Sequence, residues 1–142
     1  MADHVATAEV AISASPAQVW AALTDPEQIK KWMFGTDVQS AWTPGSPIVW
    51  RGEYDGGTYE DKGEIVEADP PHHLRFTHFS PMSGEDDVPA NYHNVSYDLQ
   101  ERVDRTYVTL RQDNNPSEDA AKHSAATWDQ MLKGLKEVVE RG

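Results

Sequence analysis

Asp61, His78 and His93 are the side chains of this sequence whose types could do chemistry together, and strand register rather than a motif is what would unite them. If the strands flanking the acidic loop from Ser80 to Asn91 pair with Phe76 opposite Val95, then His78 falls opposite His93. The hairpin before them would place Asp61 beside His78. A carboxylate against an imidazole can orient the ring for proton transfer or hold a ligand carbonyl. The plainer reading of the same residues is an ordinary polar rim, and we expect no catalytic residue. His72 and His73 are adjacent, would point to opposite faces of a strand, and read as a solvated turn. Glu85-Asp86-Asp87 lacks the spacing of a calcium loop and reads as a solvated face. There is no Gly-x-Ser-x-Gly elbow, phosphate loop or His-Glu-x-x-His helix. The absence of cysteine removes thiolate nucleophiles, disulfides and thiolate metal sites. No cofactor and no metal are expected.

The elements that would position this cluster are organised around the stretch from Asn115 to Arg141. Ala121, Ala125, Trp128, Leu132, Leu135 and Val139 recur there at alternating spacings of four and three, which is one apolar helical face. Ser124, Met131 and Val138 widen the stripe. Lys122, Asp129, Lys133, Lys136, Glu137 and Glu140 fall on the other side, with Asp129/Lys133 and Lys133/Glu137 as i,i+4 pairs. A helix of about 25 residues is ~37 Å long and needs a cover of comparable extent. Ser15-Pro16-Ala17-Gln18 opens a first short helix to about Leu23, with a Ser cap, Pro at the first position and Gln placed for a capping box. Asp25-Pro26-Glu27-Gln28 repeats that syntax for a second helix to about Met33, and Asn115-Pro116-Ser117-Glu118 repeats it before the long one.

Strand signals fill the remainder. His4 to Ile12 alternates Ala6, Ala8, Val10 and Ile12 on one face. Asp55-Gly56-Gly57-Thr58 reads as a hairpin loop pairing Tyr54 with Tyr59, Trp50 with Gly63 and Ile48 with Ile65. An indole over a glycine would leave space above the sheet. Asp69-Pro70-Pro71 closes the next strand, because consecutive prolines cannot donate ladder hydrogen bonds. Leu74, Phe76 and His78 share one face of the following strand; Val95, Tyr97 and Leu99, then Val108, Leu110 and Gln112, share faces of the last two. The pattern predicts a core, and any cavity, between the sheet and the terminal helix. Its lining would be Ile48, Trp50, Tyr59, Gly63, Ile65, Phe76, His78, His93, Val95, Tyr97, Val108, Leu110, Trp128, Met131 and Leu132. Large aromatics on these faces could wall a cavity or fill it. Trp32 and Trp42 could gate an entrance or seal the core.

Charge and length set outer bounds. The 142 residues suit one domain, residues 1–142, and 24 acidic against 12 basic residues give a formal charge of −12. That acidity argues against nucleic-acid backbones and anionic membranes, which want basic patches. Met1-Ala2-Asp3-His4-Val5-Ala6 has no basic region followed by an apolar one, and no apolar run reaches the roughly 18 residues of a bilayer span. We therefore expect a cytoplasmic protein, and regard Asn94-Val95-Ser96 as a chance glycosylation match.

The sequence also resembles a known family. Ser15-Pro16-Ala17-Gln18-Val19-Trp20 with Leu23-Thr24-Asp25-Pro26 and Trp32, Pro44-Gly45-Ser46-Pro47, Gly63-Glu64-Ile65-Val66-Glu67 with Asp69-Pro70-Pro71 and Leu74, and the late Trp128 are similar to the activator of Hsp90 ATPase homologue-like members of the START/Bet v 1 (SRPBCC) helix-grip superfamily. The resemblance spans nearly the whole chain. It implies an α+β helix-grip fold: a curved antiparallel sheet of about seven strands, two short helices after the first strand, and a long C-terminal helix on the concave face. It also implies a cavity that many such proteins use for hydrophobic ligands. Some relatives are cyclases, some hydrolases, and some bind chaperones. The eukaryotic co-chaperone carries an additional N-terminal domain for much of its chaperone contact, which this sequence is not expected to carry. The leading expectation is a non-catalytic binder of a small apolar molecule. The alternatives are a cyclase- or hydrolase-type enzyme using Asp61, His78 and His93, and a chaperone (Hsp90)-associated stress protein.

Overall fold

Helix starts show most directly how local sequence becomes structure here. Ser15 caps α1 (Pro16–Thr24): its hydroxyl accepts from the Gln18 N–H, while the Gln18 amide oxygen accepts from the Ser15 N–H, a complete capping box. Asp25 caps α2 (Pro26–Trp32) by accepting from the Glu27 N–H. The third start lies two residues later than its syntax predicts. Ser117 Oγ accepts from the Ala120 N–H and α3 runs Glu118–Arg141. Asn115 is instead the last residue of a strand, where its buried amide donates to the His4 and Gln112 carbonyls and accepts from Ser124 Oγ. Those partners are worth more to a buried amide than a solvent-exposed cap.

The computed structural model describes residues 4–33, 35–54, 56–81 and 84–141. Seven strands follow in order: β1 (His4–Ile12), β2 (Asp37–Ser40), β3 (Pro47–Tyr54), β4 (Gly57–Asp69), β5 (His73–His78), β6 (His93–Arg102) and β7 (Arg105–Asn115). They form one antiparallel sheet ordered β1-β7-β6-β5-β4-β3-β2. The fold is therefore the α+β helix-grip: six strands meander, and β1 closes against the last of them. Among the described residues no helix is long and apolar enough to cross a membrane.

One register differs from its expectation. β3 and β4 pair Tyr54 with Gly57, Trp50 with Asp61 and Ile48 with Gly63, a slip of two residues. Asp55 lies outside the described residues; Gly56, at φ +79°, takes the left-handed conformation that a tight two-residue connection demands. A slip of two preserves which face each side chain occupies. It changes which aromatic covers which glycine. A Cβ on Gly52 would sit 2.7 Å from the Tyr59 ring, so Tyr59, not Trp50, lies over a glycine.

Gly63 has a different reason for being glycine. A Cβ there would fall 1.7 Å from the Thr77 carbonyl oxygen, so the space above it is occupied by the backbone of β5. The β4–β5 ladder shifts register between Ile65 and Glu67, and Lys62 bridges to Phe79 beyond the end of β5. This bulged stretch draws the two backbones together. Gly63 thus opens no cavity.

α3 makes its close approaches to β1, α2, α1 and β7. Ala121, Leu132, Leu135 and Val139 are its buried stripe, joining Ile65, Val108 and Leu110 in the core. Trp128, a member of the expected apolar stripe, is half-buried at the edge of the core. The helix leans toward the β1 edge, and Trp128 projects over the part of the sheet that α3 does not cover. Lys133 forms the expected pair with Asp129, at 3.1 Å, rather than with Glu137; Lys136 pairs with Glu140 at 2.6 Å and donates to the Ala11 carbonyl of β1.

Candidate functional site

Because α3 sits toward β1, the inner face of β2 to β6 is left to α2 and to a cavity of about 600 Å³. Its sheet wall is built by alternation: Ile48 and Trp50 from β3, Tyr59 and Asp61 from β4, Leu74, Phe76 and His78 from β5, Val95 and Tyr97 from β6. The opposite wall is Leu23 of α1, Ile29 and Trp32 of α2, Met33, and Trp128 and Met131 of α3.

Of the residues the sequence proposes for the lining, Ile48, Trp50, Tyr59, Phe76, His78, Val95, Tyr97, Trp128 and Met131 meet in this cavity. Ile65, Val108, Leu110 and Leu132 do not. All four are fully buried in the solid core, where α3 closes on the sheet. Gly63 lies outside it for the backbone reason given above, on a separate surface depression with Lys62, Thr77 and Tyr92. Trp32 and Trp42 both line the cavity. Trp32 is 4% exposed and donates its indole N–H to the Ala22 carbonyl at 2.9 Å, which ties α2 to α1. Trp42 is half-buried at φ +59°, a conformation costing an L-residue roughly 1–2 kcal/mol.

The aromatic wall is continuous. Trp50 and Phe76 lie 5.3 Å apart between ring centroids, and Phe76 and Tyr97 6.2 Å apart. Trp50 also meets the edge of His78, 4.9 Å away at an interplanar angle of 71°. Burial pushes the phenol of Tyr97 far above its ordinary value, so it stays a neutral hydroxyl. Thr36 donates to the Met33 carbonyl at 2.6 Å; its oxygen can then accept from Tyr59 OH at 2.7 Å, which fixes that ring.

At the polar end, Asp61 Oδ2 and His78 Nε2 are 2.9 Å apart. A carboxylate can only accept, so Nε2 carries the proton and donates. The second Asp61 oxygen, Oδ1, is buried without a hydrogen-bond partner. His93 stands opposite His78 in the ladder, as the expected register requires, with ring centroids 6.4 Å apart. Its Nδ1, 2.8 Å from the Asp113 carbonyl, donates toward β7, and it does not line the cavity. The structure therefore joins Asp61 to His78 and leaves His93 as a neighbour.

The remaining candidates stay on the surface. His72 is exposed in a turn, whereas His73 begins β5 and binds Asp98 at 2.7 Å on the outer face. Asp87 pairs with Lys62 and accepts from Tyr92 OH, which lowers its carboxyl below the ordinary range. Among the described residues no grouping of His, Asp and Glu could hold a metal ion.

Sequence reasoning missed Leu23, Ile29, Met33, Thr36, Val38, Glu53, Leu74 and Ser80 as lining residues. Leu23 and Ile29 are recognisable as apolar helix positions, but no periodicity states which neighbour a short helix will face.

The chain matches the family model described as activator of Hsp90 ATPase homolog 1-like protein over residues 13–140. Among solved structures, ChR145 from Cytophaga hutchinsonii is 45% identical, the match covering 96% of this chain and 94% of that one with a TM-score of 0.85. The Aha1 dimer from Colwellia psychrerythraea is 23% identical over 99% of this chain and 97% of that one, with a TM-score of 0.74. CalU16 from Micromonospora echinospora is 20% identical over 98% and 87%, with a TM-score of 0.73. The last two likenesses concern the fold alone. No curated protein matches the chain.

Proposed function

Since this chain belongs to the activator of Hsp90 ATPase homolog 1-like family, we propose that it is a non-catalytic binding protein for a small hydrophobic molecule, held between the sheet and the helices α2 and α3. The observation that carries this reading is the cavity itself. Its volume of about 600 Å³ falls in the range of roughly 300–1,000 Å³ typical of small-molecule sites. Its walls are mainly aromatic and aliphatic, with a few polar groups such as the Asp61–His78 and Thr36–Tyr59 pairs among them, the arrangement that binds by apolar contact and orients by a few hydrogen bonds. The alternative of a cyclase- or hydrolase-type enzyme rests on the Asp61–His78 contact, which supplies an oriented imidazole in a cavity that Ser80 also lines.

The test uses N-phenyl-1-naphthylamine, an uncharged fluorophore whose emission rises in apolar surroundings. It should bind at one molecule per chain and quench tryptophan emission. Val95→Trp with Met131→Trp adds bulk from opposite walls, and should weaken binding at least about tenfold while the circular-dichroism spectrum stays folded. No saturable binding to the unaltered protein would refute the reading. Unchanged affinity in the folded double variant would refute the placement.

A further inference from the structure

We propose that the molecule taken by this cavity is a hydrophobic organic amine, seated with its ammonium group at the Asp61–His78 end, and that apolar carboxylates are rejected. This rests on the ligand-binding reading above and names the chemical class it selects.

The first ground is the direction of the hydrogen bonds. His78 donates from Nε2 to Asp61 Oδ2, and a neutral imidazole that donates from one nitrogen presents the other as an acceptor. Asp61 Oδ1 is buried and unpartnered. The Asp61–His78 pair therefore presents an acceptor and negative charge rather than donors, while the Ser80 hydroxyl that also lines the cavity can act either way. Oδ1 is enclosed by protein, so it acts on the cavity through its charge, which a cation offsets and a neutral donor does not. The Asp61 carboxylate thus makes this end electronegative without the ligand touching Oδ1 itself.

Charge in the rest of the site points the same way. No lysine or arginine stands among the described residues that line the cavity, whereas the exposed Glu53 adds a second carboxylate at its rim. A fatty or aromatic acid would thus enter with no counter-charge. The walls favour cations too: the π-faces of tryptophan and tyrosine carry negative potential, and Trp42, Trp50, Trp128 and Tyr97 all line the space. At longer range the net charge of −12 raises the local concentration of cations and repels anions.

Three probes sharing one tail separate these effects: 4-phenylbutylamine, 4-phenylbutan-1-ol and 5-phenylpentanoate. Their binding is measured by titration calorimetry at about pH 8, where imidazoles are ordinarily neutral and the amine is charged. The amine should bind at least about tenfold more tightly than the carboxylate, with the alcohol between them, and added salt should weaken the amine alone. Asp61→Asn should cost the amine at least about tenfold and move the alcohol less than about threefold. A carboxylate that binds as tightly as the amine overturns the proposal. So does an Asp61→Asn variant that loses alcohol and amine equally, since that marks a structural role. If the alcohol binds and the amine does not, only the amine assignment falls; if no probe binds, the cavity reading falls with it. The ranking in the unaltered protein decides the matter even if the variant fails to fold.

Discussion

Gly63→Ala adds one methyl group to β4, and the structure gives it nowhere to go. The new Cβ would lie 1.7 Å from the Thr77 carbonyl oxygen and 2.6 Å from its carbon. Carbon and oxygen meet comfortably at about 3.3 Å, so β4 and β5 would have to part locally by roughly 1.6 Å. Three hydrogen bonds hold that stretch: Lys62 N–H to Phe79 O at 3.0 Å, Phe79 N–H to Lys62 O at 2.7 Å, and Glu64 N–H to Thr77 Oγ1 at 3.0 Å. Overpacking costs about 1–3 kcal/mol and each weakened bond about 0.5–1.5 kcal/mol, so losing two of them puts the total at about 2–6 kcal/mol. For a chain of this size that is a fall in Tm of about 5–20 °C. Urea denaturation followed by tryptophan emission measures it. Gly134→Ala is the matched control, because its Cβ would meet the Trp32 carbonyl at 3.4 Å, close to ordinary contact. Removing a glycine from a helix interior gains about 0.5–1 kcal/mol, so this variant should be as stable as the parent or more so. A Gly63→Ala variant within about 0.5 kcal/mol of the parent would refute the view that strand approach dictates glycine here.

Other expectations are simpler to state. Leu132→Ala should cost about 2–5 kcal/mol in chemical denaturation, since Leu132 is fully buried; a loss under about 0.5 kcal/mol would sink the placement of α3. Ser117→Ala removes the cap of α3 and should cost about 1 kcal/mol by the same assay, with no loss pointing to a different helix start. The Lys136 ammonium, followed by the Ser13 amide, holds the Glu140 carboxyl below its ordinary range. A depressed folded value contributes stability that is complete above the unfolded value of about 4.3 and is lost as pH falls through the folded one. Glu140→Gln should therefore lower the urea midpoint at neutral pH and converge with the parent in acid; a constant gap at all pH values would rule out the ionic origin.

The pairing of Phe76 with Val95, and with it His78 opposite His93, was legible because both strands alternate cleanly on either side of one loop. The β3–β4 register was less so. Four- and two-residue connections through Asp55-Gly56-Gly57-Thr58 keep the same faces inward, and only the backbone closure between Tyr54 and Gly57 distinguishes them. Trp128 shows a further limit. Its place in the apolar stripe shows that it points inward, but the distance between helix and sheet depends on where α2 and Trp32 wedge against α3 at Gly134. The cavity is the product of that spacing. The aromatic residues that wall it could be named from alternation; whether they would fill the space or leave it open could not.

The pairing of β1 with β7 has a consequence for how the chain is made. His4 and Asn115, clasped by the Asn115 amide, are 111 positions apart, and closing a loop of that length costs about 4 kcal/mol of chain entropy. A ribosome delivers the two strands in the wrong order for easy pairing. At about 5–20 residues per second, β1 waits roughly 5–20 s for β7, its ladder partner, while the hairpins of β2 to β6 can close as they emerge. A strand left unpaired for that long is an aggregation hazard if it is strongly apolar. β1 carries Val5, Val10 and Ile12, but they are spaced by Ala6, Ala8 and Ala11, with Thr7 and Glu9 between the first of these. Small side chains there give up packing in the finished protein and leave the nascent strand less adhesive while it waits.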